Sequence, residues 1–264
     1  MDIWTDRGRL TRAIVPAVAV VLVAALGSFG CEEPATTAAE TNRGVDRRHV
    51  AAATYRVTVT NTTGALQPLT PAAVALHNRA ADVFEVGSPA SEGVERVAES
   101  GNVPFLVSAL NEVNQVFDAG VAFGTVTGEE GPEPGPILPG KSGSVEIQGP
   151  AGNGMRLSLV SMLVCTNDGF TGLDAVELPG EVGETVTYRS DGYDAGTEQN
   201  TEAASDLVPP CVGATTGEEG GTGADQPGIA EDEVIRHHPG ISETTGGDDI
   251  LDERHQWMDP VATI

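Results

Sequence analysis

Regular alternation of apolar and polar side chains begins at Ala53. Tyr55, Val57 and Val59 interleave with Arg56, Thr58 and Thr60. A period of two built on β-branched residues predicts a half-buried strand, closed by the turn sequence Asn61-Thr62-Thr63-Gly64. A second strand is predicted within 71–77. Between 88 and 113 the period lengthens. Ser88-Pro89 offers a cap and a first-turn proline, Val94, Val97 and Ala98 share a helical face, and Gly101 supplies a stop. Phe105, Leu106, Ala109, Leu110 and Val113 form another amphipathic stretch, and both stripes are expected to face a core. Strand patterning resumes at 144–147 and 155–164. In the second run Leu157, Leu159, Ser161 and Leu163 share one face, while Ser158, Val160, Met162 and Val164 share the other. Both faces are largely apolar, so this strand is predicted to be central and covered on both sides. A short strand at 185–188 and a closing strand within 257–264 complete a β-rich reading with short helical insertions.

The central strand runs straight into an acidic loop containing Thr166-Asn167-Asp168-Gly169-Phe170. A second acidic loop, Tyr193-Asp194-Ala195-Gly196-Thr197-Glu198, follows. Carboxylates gathered by strand ends suit a hard cation such as calcium, which takes roughly six to eight oxygens, so backbone carbonyls and water must complete its shell.

Charge narrows the partners. Among 264 residues, Lys+Arg number 14 and Asp+Glu 39, a formal net charge of -25. That balance argues strongly against nucleic acid or an anionic membrane surface as the main partner. Gly 33 and Pro 17, with few aromatics, favour a loop-rich β protein over a helical bundle.

Residues 1–31 have the plan of a signal peptide: Arg7, Arg9 and Arg12 precede an apolar run over 13–30. Cys31, behind Ser28-Phe29-Gly30, resembles the end of a bacterial lipobox, which makes it the expected lipid attachment site. Plain cleavage and an uncleaved anchor are the alternatives. Each puts the body outside the cytoplasm, at a bacterial outer membrane, periplasm or cell surface through a lipid anchor, or secreted. Residues 32–52 lack any period and are expected to be a flexible linker; 53–264 is the folded domain. Within it 213–232, acidic and Gly-rich, is expected to be a mobile loop. Cys165 and Cys211 remain as an even pair in an oxidising compartment, open to a disulfide or to two free thiols.

Several catalytic patterns fail. Gly135-Pro-Ile-Leu-Pro-Gly-Lys141-Ser142 satisfies GxxxxGK[ST] letter for letter. However, Pro136 and Pro139 have no N–H to offer a phosphate, and a strand rather than a helix is expected after Ser142. GxSxG, HExxH and CxxC do not occur. His237, His238 and His255 are a conceivable metal set, although His238-Pro239-Gly240 reads as a turn.

At this point the ordered segments YRVTVTN, FEVGSPAS, ILPGKSGSVEI, RLSLVSMLVCTNDGF, GLDAVELP and YDAGTE together resemble the spondin domain, the module of F-spondin and mindin also found alone in bacterial secreted proteins. The resemblance spans about 53–264 and is most specific over 158–198. It implies an all-β, C2-like antiparallel β-sandwich with calcium at one end. It also implies Asp168, Asp194 and Glu198 as the metal ligands; family members often carry Asp where Glu198 stands, and Gly169-Phe170 replaces an aromatic pair. Asp174 and Glu177 are neighbouring candidates. The resemblance further implies a noncatalytic binding or adhesion module that takes an extracellular glycan or a matrix or surface protein. The alternative is a metal-assisted extracytoplasmic hydrolase using the same acidic site.

Overall fold

The first strand forms where alternation begins: β1 spans Ala52–Asn61, with Val57 and Val59 buried beneath exposed Arg56 and Thr58. The structure, a computed structural model, describes residues 52–64, 66–216, 228–241 and 249–264. The signal segment with Cys31, the linker through residue 51, and positions 217–227 of the expected mobile loop lie outside the described residues.

The elements after β1 are β2 (Ala72–His77), α1 (Glu92–Ser100), α2 (Val103–Asn111), β3 (Val116–Ala122), β4 (Gly124–Gly128) and β5 (Gly131–Gly135). There follow β6 (Ser142–Pro150), β7 (Arg156–Met162), β8 (Gly169–Glu177), β9 (Arg189–Ser190) and β10 (Gly192–Asp194). The chain ends with α3 (Pro209–Thr216), β11 (Arg236–His237) and β12 (Ala262–Thr263). The strands pair in a four-stranded sheet, β6-β1-β12-β9, a six-stranded sheet, β11-β10-β8-β7-β2-β3, and a hairpin, β4-β5. All these pairings are antiparallel. The protein is therefore β-rich, as the alternation predicts.

Every residue of β7 is buried, and its two faces enter different apolar clusters. Leu157 and Leu159 pack with Val57, Val59, Leu76 and Ile147, joining the two sheets. Val160 and Met162 pack on the opposite side, against Val94, Val97, Leu106 and Leu110 of the two helices. The partition matches the predicted faces except at Val164, which joins the inter-sheet cluster because the strand has already ended at Met162. Truncating Leu159 to Ala leaves a cavity between the sheets and is expected to cost about 2–5 kcal/mol, read as a lowered urea midpoint.

Several boundaries differ from expectation. α1 starts at Glu92, because the Ser91 hydroxyl accepts from Val94 N and Gly101 ends the helix at φ 66. Ser88 instead extends the chain beside Ile235 through a backbone hydrogen bond of 2.9 Å. The strand expected at 185–188 lies at Arg189–Ser190, entered through the Tyr188–Ile264 backbone pair. The closing strand is confined to Ala262–Thr263, consistent with Pro260 having no N–H for a ladder. α3 occupies part of the segment expected to be a loop at 213–232. β3, β4, β5, β8, β10 and β11 have no counterpart among the predicted strands. β5 reads Gly-Pro-Glu-Pro-Gly and pairs only with β4, where two missing N–H groups cost no second ladder. The segment matching a phosphate loop leads from this hairpin into β6, with no helix after Ser142. Cys165 and Cys211 form a disulfide, which ties the end of the central strand to α3. Among the described residues no helix is long and apolar enough to cross a membrane.

Candidate metal centre

The first acidic loop turns sharply between β7 and β8. Leu163 N donates to Gly169 O at 2.8 Å, and Thr166 Oγ1 accepts from Gly169 N at 2.8 Å while donating to Leu163 O. That turn places Asp168 at the mouth of the β8–β10 ladder, where Gly169 pairs with Asp194. Ala195 N then donates to Asp168 O, and the second loop folds over the first.

Asp168 and Asp194 are fully buried, and Glu198 nearly so. Asp168 Oδ2 accepts from Thr197 N at 2.7 Å, Glu198 N at 3.0 Å and Thr197 Oγ1 at 3.3 Å. Its other oxygen, Oδ1, has no hydrogen-bond partner. Asp194 Oδ1 accepts from Gly196 N; its Oδ2 accepts from Asn200 Nδ2 at 2.8 Å and from Arg236 at 3.2 Å. Glu198 Oε1 accepts from Gly228 N at 2.6 Å.

Electrostatics among these groups is unfavourable. Burial, reinforced by the Asp194 charge, pushes the Asp168 carboxyl up to about 6 against the pull of the loop amides. Burial also raises Glu198 to about 7, with Glu99, Asp168 and Asp206 adding repulsion against the Gly228 amide. Glu99, from the last turn of α1, is raised chiefly by burial and feels Asp168 as well. Its place at this site was missed, because a surface-patterned helical glutamate carries no local sign of the loop it will face. Arg236 supplies one positive charge, shared among Asp194, Glu231 and Glu233.

His238 is the second buried group with an orphaned atom. Its Nδ1 accepts from Gly240 N at 3.0 Å, its ring lies 5.1 Å from that of Trp257, and Nε2 has no partner. Burial pushes its pKa down to about 4, with Asp194 pulling the other way and Arg236 adding to the fall. Asp168 Oδ1 and His238 Nε2 thus belong to groups that both feel Asp194. Unpartnered buried polar atoms are rare in native proteins, and a bound ion or water is a usual reason.

The structure separates other candidates. Asp174 accepts from Val83 N and from the Ser158 hydroxyl, each at 3.2 Å, midway along β8. Glu177 pairs with Arg156 and Arg79 at the far end of that strand. Neither joins Asp168. His237, His238 and His255 do not gather: His237 faces Tyr193, while His255 Nδ1 accepts from Asp252 N. A Ser–His–Asp set does exist at Ser158, His77 and Asp174, with Ser158 Oγ 2.8 Å from His77 Nε2. It has the wrong order for hydrolysis, since serine bridges the other two and His77 Nδ1 contacts the backbone of Asn78. Ser158 and His77 are also buried, at 1% and 0% exposure, so this set braces β2, β7 and β8.

Among the described residues, one group of three ligand types has its ligand atoms all within 4.8 Å of one another: Asp191, His237 and Asp259. Asp168, Asp194 and Glu198 adjoin through the loop hydrogen bonds without meeting that distance as a set. Compared with known protein families and with curated proteins, the chain finds no match.

Proposed function

We propose that this chain is a spondin-like, noncatalytic binding module whose acidic end is held together by calcium. On this reading the two antiparallel sheets form a C2-like β-sandwich, delivered outside the cytoplasm by the N-terminal segment and its lipid anchor at Cys31. The observation that carries the calcium reading is the Asp168 carboxylate. One oxygen is satisfied by two backbone amides and the other is buried, unpartnered and surrounded by acidic neighbours. An all-oxygen donor set of this kind fits a hard divalent ion. Asp168 and Glu198 have coordinating capacity to offer, and Glu99 stands beside them. Asp194 is largely committed to Gly196, Asn200 and Arg236, so its contribution is chiefly charge.

Enclosure supports a structural ion over a catalytic one. A carboxylate at zero exposure, such as Asp168 or Asp194, cannot touch a substrate unless the loops open. The ligand side of the module is then a glycan or a matrix or surface protein. Its test is an array of both classes probed with the chain in calcium and in chelator. Binding that needs calcium and is lost in Asp168→Asn supports the reading. Turnover on a hydrolase substrate panel, abolished by Asp194→Ala, would replace it with the metal-assisted hydrolase.

The raised pKa values set a pH dependence. Without metal, the folded state retains protons on Asp168 and Glu198 that the unfolded chain has released. This contribution is full below about pH 4 and is lost as pH rises through about 6 and 7. In metal-free protein the thermal midpoint is expected to fall over that window, and Asp168→Asn is expected to flatten the fall. Saturating calcium binds the ionised carboxylates and is expected to reverse the slope, as scanning calorimetry at several pH values would record.

A further inference from the structure

We propose that Asp191, His237 and Asp259 form a second metal site, separate from the acidic loops, that takes a borderline divalent transition ion such as zinc. Three chain segments converge there on one residue, Gly192. Asp191 directly precedes it. The Asp259 carboxylate reaches it by accepting from Gly192 N at 2.8 Å. The strand carrying His237 reaches it through His238 N, which donates to Gly192 O at 2.9 Å. A Cβ at Gly192 would lie 3.0 Å from Trp257 Nε1, so the strand sits close against that ring and has little room to shift.

The side chains are aimed together from these anchors. One ligand atom from each lies within 4.8 Å of the other two. His237 stands opposite Tyr193 in the β10–β11 ladder, and the two rings are 5.3 Å apart, which holds the imidazole in place. The carbonyl of Asp191 accepts from Thr171 Oγ1 at 2.9 Å, fixing the backbone that carries its carboxylate. Among the described residues no hydrogen bond joins any two of the three side chains, and neither carboxylate has an arginine or lysine partner. Two carboxylates and an imidazole therefore stand together with no arginine or lysine among the described residues paired to either carboxylate.

Donor chemistry selects the ion. Calcium takes oxygen ligands, whereas imidazole suits zinc and its neighbours in the first transition row. Zinc ligands stand about 2.0–2.2 Å from the metal, so closure needs only a small movement of side chains that are half-buried or exposed. Three protein ligands leave further positions for water or for a donor from a bound partner. The site does not depend on the calcium reading.

Titration calorimetry of the intact chain with zinc chloride is the test, run with and without millimolar calcium. We expect one zinc per chain at this site, unaffected by calcium. His237→Ala and Asp259→Asn are each expected to weaken it by about 10–100-fold or more, the least that loss of a direct ligand should cost. Asn at 259 keeps an acceptor for Gly192 N, and both side chains are exposed, so unchanged circular dichroism and thermal midpoints would confirm folding. Absence of zinc binding, or binding equally strong in both variants, would overturn the proposal.

Discussion

Asp168→Ala is expected to destabilise the fold by about 3 kcal/mol or more even in chelator. Two backbone amides, Thr197 N and Glu198 N, lose their shared acceptor at a buried position, and each buried donor left unpaired costs about 1–3 kcal/mol. Asp168→Asn separates this role from that of charge. It keeps a carbonyl oxygen for the amides while removing one negative charge beside Asp194 and Glu198. In metal-free buffer Asp168→Asn is therefore expected to match or exceed the native chain in stability, whereas in calcium it is expected to fall below it. Equilibrium urea unfolding of the three proteins, with and without calcium, gives the four comparisons. Loss in the Ala variant alone, with Asn at native stability both with and without calcium, would mean that Asp168 acts only as a hydrogen-bond acceptor.

Removing the disulfide is expected to have the other large effect. Cys165 and Cys211 are 46 residues apart along the chain, and loop-closure entropy for that separation corresponds to about 4 kcal/mol. The double Cys165→Ser, Cys211→Ser variant is expected to unfold roughly 10 °C below the native chain. The damage should reach the acidic loops. Cys165 stands three residues before Asp168, and Gln67 clamps its backbone, with Oε1 accepting from Cys165 N and Nε2 donating to Cys165 O. With α3 released, the turn that carries Asp168 loses its covalent support. Calcium should then raise the midpoint of the double variant by less than it raises that of the native chain. An unchanged midpoint after substitution would show that the apolar cluster around Leu207 and Leu251 holds this end without the bridge.

Elements with strong local pattern were legible before the structure. β1 and β7 are β-branched or leucine-rich, their periods are regular, and β7 divides its side chains between two cores as its composition requires. Gly-Pro-Glu-Pro-Gly in β5 gives no such sign, because its strand conformation comes from the hairpin partner rather than from propensity. β9, β11 and β12 are two-residue pairings, too short to carry a period of their own. The acidic centre was partly legible for a related reason. Asp168 follows the strand predicted at 155–164, and Asp194 and Glu198 share one Gly-containing acidic turn, although the three-residue strand that ends at Asp194 carries no period of its own. Glu99 and Arg236 reach the centre through tertiary packing, so no spacing marks them. The same holds for Asp191, His237 and Asp259, which come from three separate segments and meet only when β10 pairs with β11 and the C-terminal segment docks on Gly192.

Calcium titration of the chelator-treated chain, followed by calorimetry and by thermal midpoint, bears most directly on the acidic centre. One calcium per chain is predicted, absent from Asp168→Asn. At a free concentration of about 100 times the dissociation constant, it should stabilise the fold by about 2.7 kcal/mol. A chain that shows no calcium heat and keeps the same midpoint in calcium and in chelator would contradict the account.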